Sequence, residues 1–153
     1  ALDRTQAKDE IYDYLSRGDY VLADRYTWSN IAFRAASVLE KDRDQFIDWV
    51  DEVEYNVNKI PREDIVIVLY APIEYVWDKM SQKRTGREYT KNIRDIHEAD
   101  KNYLQAAGDQ YLHLAKKYPA KAILIKCIEK GKLRSIESIH FEILQKLKER
   151  SVI

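Results

Sequence analysis

Residues 64–70, Asp-Ile-Val-Ile-Val-Leu-Tyr, are the stretch that decides the fold. Their apolar side chains are continuous and do not alternate with polar ones, a pattern that indicates a strand buried on both faces. Such strands belong to parallel sheets that are covered by helices. Residues 122–127 carry a similar run and predict a second strand of this kind, and residues 20–23 predict a third, shorter one.

Helical patterns separate these strands. Apolar residues recur at helical spacing, and Gly18 is placed to end the first helix as a left-handed stop. In the last helix this spacing predicts that Ile136 faces inward with the apolar residues that follow it. We therefore expect an α/β fold with a doubly wound parallel sheet, helices on both faces and a single domain over residues 1–153. The predicted helices cover residues 1–17, 29–40, 43–58, 74–81, 96–118 and 136–150.

The stretch 20–33, YVLADRYTWSNIAF, joins a predicted strand to a predicted helix. Asp24 and Arg25 stand at the carboxyl end of that strand, and Ser29 and Asn30 follow at the start of the helix. Ligands bind at this edge of an open parallel sheet. A lone Asp-Arg pair is more often a surface turn, so the pair gains weight only from the elements on either side of it.

Composition excludes several classes of protein. The 153 residues are 45% hydrophobic and 34% charged, and 26 Lys and Arg balance 26 Asp and Glu. A net charge of zero does not favour nucleic acid or an anionic membrane as the main partner. Cys127 is the single cysteine, which excludes an internal disulfide and a four-cysteine zinc site and fits a reducing, cytoplasmic setting. We expect Cys127 to be a buried strand residue.

Several catalytic motifs are absent from the sequence. The four glycines form neither a Gly-x-x-x-x-Gly-Lys-Ser/Thr phosphate loop nor a Gly-x-Gly-x-x-Gly fingerprint, and no Gly-x-Ser-x-Gly elbow occurs. His97, His113 and His140 lack the spacing of zinc ligands. The remaining chemistry is that of arginine: Arg25 at the strand end, and Arg84, Arg87 and Arg94 on a polar segment typical of a mobile lid, residues 82–95. Arginine donors suit phosphoryl oxygens, although from the residues alone a solvated basic loop is the more common explanation of such a segment.

Four segments, in the right order and spacing, resemble thymidylate kinase, a P-loop nucleoside monophosphate kinase. Ala1-Leu2-Asp3-Arg4 resembles the end of the family's Phe-Ala-x-Asp-Arg helix, and residues 24–33 resemble its Asp-Arg-Tyr-x-x-Ser-x-x-Ala-Tyr segment. Residues 64–74 resemble its strand block, which ends in Asp-x-Pro-x-Glu, and residues 94–111 resemble the helix that leaves the lid. The resemblance implies ATP-dependent phosphorylation of dTMP to dTDP, with Mg²⁺ and ATP.

The resemblance also implies roles for the acceptor side. Arg4 would bond the thymine ring, and Asn30 with Ser29 would contact its polar edge. Arg25 would clamp the phosphate of dTMP. Phe33, in place of a frequent tyrosine, would help to exclude a 2′-hydroxyl.

On the donor side, the resemblance implies that Arg84, Arg87 and Arg94 close over the phosphates of ATP. Asp24 would organise the magnesium and phosphate surroundings, while Asp95 and Glu98 would face the metal or the substrate, and His97 would lie beside the substrate.

The chain departs from the family pattern in two places. Tyr70 stands where the family usually has an aspartate. The phosphate loop, the first strand and the aromatic residue that stacks on the base are absent and would precede Ala1. We therefore expect this chain alone to be an inefficient kinase, and the residues upstream of Ala1 to distinguish an enzyme from an inactive relative.

Three alternatives stay open at this stage. The protein is a thymidylate kinase, a deoxynucleoside kinase, or a catalytically inactive nucleotide-binding relative. The resemblance further implies a homodimer packed through the helix that carries Phe46, Trp49, Val50 and Val53, although the same face would serve equally as core. The high charge is a compositional hint of a thermophilic source.

Overall fold

The computed structural model describes residues 2–84 and 100–153, which form two compact units, Ala1–Asp64 and Ile65–Ile153. The expectation of a single domain over residues 1–153 stays a prediction. The described residues contain no helix that is long and apolar enough to cross a membrane. The helices are α1 Leu2–Ser16, α2 Thr27–Ala35, α3 Arg43–Asp51, α4 Ile73–Arg84, α5 Lys101–Lys117 and α6 Ile136–Glu149; the strands are β1 Val66–Tyr70, β2 Ala122–Lys126, β3 Ile128–Glu129 and β4 Lys132–Leu133.

The regular elements described in the first unit are all helical. Gly18 ends α1 as predicted, with φ of 81° and a backbone N–H bond to Leu15 at 3.0 Å. α2 ends at Ala35, five residues earlier than predicted, and a short 3₁₀ turn, Glu40–Asp42, leads into α3. α3 continues as a π-helical turn, Glu52–Val57, so that the predicted helix 43–58 is confirmed with a change of register inside it.

The core of this unit lies between α2 and α3, which pack against each other. Its members are buried apolar side chains at helical spacing on the two helices. They are Trp28, Ile31, Ala32, Ala35, Ile47 and Val50.

The predicted strand 20–23 is wrong. These residues form an irregular segment, in which the side chains of Tyr20 and Leu22 are 76% and 93% exposed. A strand requires a neighbour for its backbone hydrogen bonds, and the regular elements described in the first unit are all helices.

The second unit contains the parallel pair that the sequence predicts. β1 pairs with β2 from Val66 opposite Ala122 to Tyr70 opposite Lys126. Ile123 and Ile125 are almost completely buried, whereas Leu69 is 58% exposed, so the expected burial of β1 on both faces is only partly met. An α/β arrangement with a small parallel sheet is therefore established.

Cys127 is buried, as predicted, but β2 ends at Lys126, so the predicted strand 122–127 is one residue too long and Cys127 lies between two strands. Its pKa is raised because burial disfavours the thiolate. A hairpin that the sequence analysis missed follows it. β3 and β4 are antiparallel and are joined through Lys130 and Gly131, whose φ values of 49° and 74° match the two-residue turn with positive φ at both positions.

α6 begins at a Ser135 cap, whose side chain accepts the backbone N–H of Ser138. The helix was predicted correctly, but the prediction that Ile136 faces inward is wrong, because that side chain is 81% exposed in the first turn. At the other end, Arg150 donates to the carbonyls of Pro119, Ala120 and Ala122 at 3.2, 2.8 and 2.7 Å. Arg150 thus holds the end of α6 against the start of β2.

Replacing Arg150 by alanine should lower the free energy of unfolding by about 1 kcal/mol, because three carbonyls lose a charged donor and regain only water. Chemical denaturation measures this change. Lys148→Ala, on the exposed side of the same helix, is the matched control and should have a smaller effect. An Arg150→Ala protein as stable as the control would contradict the anchoring role.

Candidate functional site

A sharp corner at Asp24, Arg25 and Tyr26 introduces α2. Arg25 has φ of 65°, in the left-handed region that residues other than glycine seldom adopt. Such conformations occur often at binding sites, where the surrounding contacts offset the strain. The corner places Arg25 one turn ahead of Ser29.

Arg25, Ser29 and Phe33 follow one another at intervals of four residues, so they share a side of α2 and its entry. The Arg25 Nε donates to Ser29 Oγ at 2.7 Å, and the guanidinium carbon lies 4.9 Å from the centroid of the Phe33 ring. Arg25 is exposed, and no carboxylate of the described residues pairs with it. The structure thus orients a guanidinium while leaving its terminal nitrogens available to an anion.

A second cluster gathers around Glu54, in the π-helical turn. Arg4 of α1 forms an ion pair with Glu54 Oε1. The Asn30 side-chain Nδ2 donates to the same oxygen at 3.3 Å. On its other side, Asn30 Oδ1 accepts from Arg34 Nε at 2.9 Å. Glu54 therefore links side chains from α1 and α2.

The Arg4–Glu54 pair is withdrawn from water. The side chain of Glu54 is 2% exposed and that of Arg4 19%. Glu54 Oε2 and Arg4 Nε are both buried and have no hydrogen-bond partner among the described residues. A buried polar atom without a partner costs on the order of 1–3 kcal/mol, so the cluster has capacity for a further polar group.

Two tyrosines border this cluster. The Tyr26 hydroxyl donates to the Pro61 carbonyl at 2.9 Å, and the Tyr55 hydroxyl donates to Glu63 Oε2 at 2.6 Å. Burial, helped by the charge of Glu63, raises the pKa of Tyr26 to about 12 and also raises the pKa of Tyr55. Both hydroxyls therefore act as neutral donors at physiological pH.

The structure brings together the predicted acceptor-side residues in its first unit. Five of them lie on α2 or its entry and one on α1: Arg4, Asp24, Arg25, Ser29, Asn30 and Phe33. The backbone of Arg84 belongs to α4, but its side chain lies outside the description. The other predicted lid and metal residues lie outside the described residues: Arg87, Arg94, Asp95, His97 and Glu98.

Asp24 is the described residue to which the sequence analysis gave a metal role. It is exposed beside Arg25, and no group of three or more potential metal ligands occurs in residues 2–84 and 100–153. A magnesium ion commonly keeps water and phosphate ligands and takes only one or two carboxylates, so a single exposed aspartate fits a shared role. The metal role of Asp24 stays a prediction.

Glu54 was not among the site residues predicted from the sequence. The signal was present, because Glu54 lies seven residues after Ile47 and four after Val50, on the buried face of the predicted helix. A carboxylate at such a position is buried only when it is paired. Its partners come from distant parts of the chain, so spacing alone could not have identified them.

Removing Arg4 should leave the Glu54 carboxylate buried without its cation. We expect Arg4→Met to lower the free energy of unfolding by about 3–5 kcal/mol, and Arg4→Met combined with Glu54→Leu to cost less than Arg4→Met alone. Arg17→Met, which breaks an exposed pair with Asp13, is the control and should cost at most about 1 kcal/mol. Equal losses for Arg4→Met and Arg17→Met in urea denaturation would contradict a buried, coupled pair.

Comparison with known proteins identifies the relatives of this chain. No protein-family model matches it. It is 31% identical over 115 residues to the thymidylate kinase of Mycobacterium tuberculosis, which covers 75% of this chain and 53% of the relative. It is 28% identical over 149 residues to a probable thymidylate kinase of Pyrococcus horikoshii, which covers 97% of this chain and 62% of the relative. It is 30% identical over 131 residues to a probable thymidylate kinase of Thermococcus onnurineus, which covers 85% of this chain and 52% of the relative.

The chain thus spans about half to three fifths of the length of these curated relatives. The matches nevertheless extend over three quarters or more of the chain itself. They include three proteins from different organisms that carry the same family name. The resemblance read from the motifs is confirmed, and the chain is a relative of the thymidylate kinases.

Proposed function

We propose that the complete protein transfers the terminal phosphoryl group of ATP to dTMP and so forms dTDP. This proposal is carried by the Arg25 guanidinium. Ser29 and Phe33 orient it, and it pairs with no carboxylate of the described residues. An oriented and available guanidinium suits a phosphate dianion. The similarity to thymidylate kinases supports dTMP as the source of that phosphate.

Arg25 acts on the acceptor in this proposal. Its terminal nitrogens hold the 5′-phosphate of dTMP, so that one phosphate oxygen can attack the terminal phosphorus of ATP in line. Phosphoryl transfer depends on this positioning and on cations that balance the developing charge, and much less on covalent chemistry by the protein. The Phe33 ring lies under the Arg25 guanidinium. In this proposal the same ring lies near the deoxyribose.

The thymine ring lies against Arg4 and Asn30 in this proposal. Arg4 retains N–H groups beyond the one that it gives to Glu54, and these can donate to a ring carbonyl. Asn30 is only half-buried, so its amide is within reach of a ligand. Ser29, which is already bonded to Arg25, joins the phosphate end of the pocket to the base end.

The donor side of the proposal rests on the resemblance. Arg84, Arg87 and Arg94 would close over the ATP phosphates, His97 would lie beside the substrate, and Asp24, Asp95 and Glu98 would lie near Mg²⁺. When bound, the magnesium ion would neutralise phosphate charge during the transfer. The fold that belongs to this proposed function is a doubly wound parallel sheet of P-loop NTPase type. A cytoplasmic location fits the single, free Cys127.

The decisive assay follows ADP release by the complete gene product with dTMP, other nucleoside monophosphates and deoxynucleosides as acceptors. We expect dTMP to be preferred. Preference for a deoxynucleoside over its monophosphate would support the deoxynucleoside kinase instead, and the absence of turnover with every acceptor would support an inactive nucleotide-binding relative.

Removing the phosphate clamp should slow the reaction. We expect Arg25→Ala to cost at least about 2.7 kcal/mol of transition-state stabilisation, equivalent to about 100-fold in kcat/KM, by analogy with the loss of one donor to a transition-state oxyanion. Arg17→Ala, at an exposed arginine paired with Asp13, is the control and should leave kcat/KM unchanged. An unchanged rate in Arg25→Ala would remove Arg25 from this role.

We also propose that the protein is a homodimer packed through α3. Trp49 is 60% exposed on this helix, its ring lies 6.1 Å from that of Phe46, and Val57 is 66% exposed in the following turn. Exposed aromatic side chains such as Trp49 are enriched at protein interfaces. Val50, which was predicted on the packing face, is only 4% exposed, because it lies with Ile47 on the side of the helix that forms the core.

Sedimentation of the complete protein at micromolar concentration should give a dimer, and Trp49→Glu should shift it towards a monomer, because a charge would be buried at the interface. Leu39→Glu is the matched control, since Leu39 is also exposed, at 67%, but lies outside α3. A monomeric unsubstituted protein, or equal dissociation by both variants, would contradict the proposed interface.

A further inference from the structure

We infer that Glu54 is a positioning residue for base recognition, and that it sets which end of the Asn30 side-chain amide faces the nucleotide. This inference rests on the proposed function for the identity of the ligand. Its structural basis is the buried cluster of Glu54, Arg4 and Asn30, in which Glu54 makes no proposed contact with the substrate itself.

The orientation of the Asn30 side-chain amide follows from whether each of its partners can donate or accept a hydrogen bond. An asparagine amide has a donating end and an accepting end that are nearly equal in shape, so only its hydrogen-bond partners decide its orientation. Glu54, paired with the Arg4 guanidinium, is a carboxylate and can only accept, which requires Nδ2 of Asn30 to face it. Arg34 can only donate, and it faces Oδ1. Two independent partners therefore select the same orientation.

Burial makes Glu54 the stronger of these two partners. Glu54 is 1% exposed, whereas Arg34 is exposed to water, which weakens and competes for its bond to Asn30. Reversing the Asn30 amide would bring Oδ1 against the buried carboxylate and leave two acceptors in contact without a proton. The π-helical turn that carries Glu54 is a backbone form often found at functional sites.

This orientation has a consequence for specificity. Asn30 Oδ1 has two lone pairs, and one of them accepts the N–H of Arg34. The other lone pair can accept an N–H of a ligand. Thymine and uracil carry an N–H at ring position 3, whereas cytosine carries an acceptor there. Arg4 adds a donor that suits the neighbouring carbonyl of thymine and not the amino group of cytosine. The Glu54 cluster therefore selects imide bases over cytosine.

The test compares dTMP with dCMP as acceptors for the complete protein. Glu54→Leu removes the oxygen that accepts from both Arg4 and Asn30 and keeps a buried side chain, so position 54 no longer dictates the orientation of Asn30. We expect the ratio of kcat/KM for dTMP over dCMP to fall by at least about tenfold, mainly through a higher KM for dTMP, with kcat little changed because Arg25 is untouched. Glu52→Leu, at an exposed glutamate in the same turn, is the matched control and should keep the ratio.

A charge-conserving exchange separates positioning from a merely structural role. In Asn30→Asp combined with Glu54→Leu, the side chain at position 30 presents an acceptor in either orientation, and one negative charge near Arg4 is kept. We expect this double variant to recover preference for dTMP. Recovery by the double variant also supports the inference if Glu54→Leu alone fails to fold.

Three results would overturn the inference: an unchanged ratio in a folded Glu54→Leu protein, an equal loss for dTMP and dCMP, or a folded double variant without preference for dTMP. Failure of the proposed function looks different, because the unsubstituted protein then releases no ADP with dTMP. In that case, the affinities for thymidine and deoxycytidine are measured by calorimetry. A thymidine preference that Glu54→Leu abolishes supports the inference without kinase activity, and no nucleoside binding overturns both proposals.

Discussion

The buried ion pair between Arg4 and Glu54 is the interaction on which the first unit depends. It joins α1 to the π-helical turn after α3, and through Asn30 it reaches α2. A carboxylate on a side chain that is 2% exposed is tolerated only when cations and donors compensate for its lost hydration. The three segments must therefore adopt one relative arrangement for the charge to be satisfied, and this requirement makes the cluster precise enough to orient an amide.

Helix α2 separates two recognition tasks by its own geometry. Arg25, Ser29 and Phe33 follow at four-residue intervals along one side, while Asn30 lies about 100° further round the helix and meets Glu54. On the proposed function, one short helix thereby holds the phosphate end and the base end of the same nucleotide. The strained corner at Arg25 sets the start of this arrangement.

Prediction from sequence succeeded where a local pattern determines the structure. The continuous apolar runs gave the parallel pair of β1 and β2, and Gly18 marked the end of α1. It failed where the outcome depends on distant partners. Residues 20–23 have strand-like composition, but the described part of their own unit supplies no strand to pair with them. Glu54 is explained only by Arg4 and Asn30, which are 50 and 24 residues away. The motif resemblance identified Arg4 and Asn30 but could not show what holds them.

The position of bound dTMP tests the central claim most directly. A crystal structure of the complete protein with dTMP should place the phosphate oxygens within hydrogen-bond distance of the terminal nitrogens of Arg25. The thymine ring should lie against Arg4 and Asn30, with the Arg4–Glu54 pair intact. A phosphate bound away from Arg25, or a base that leaves Arg4 and Asn30 untouched, would contradict the assignment of this helical unit as the acceptor site.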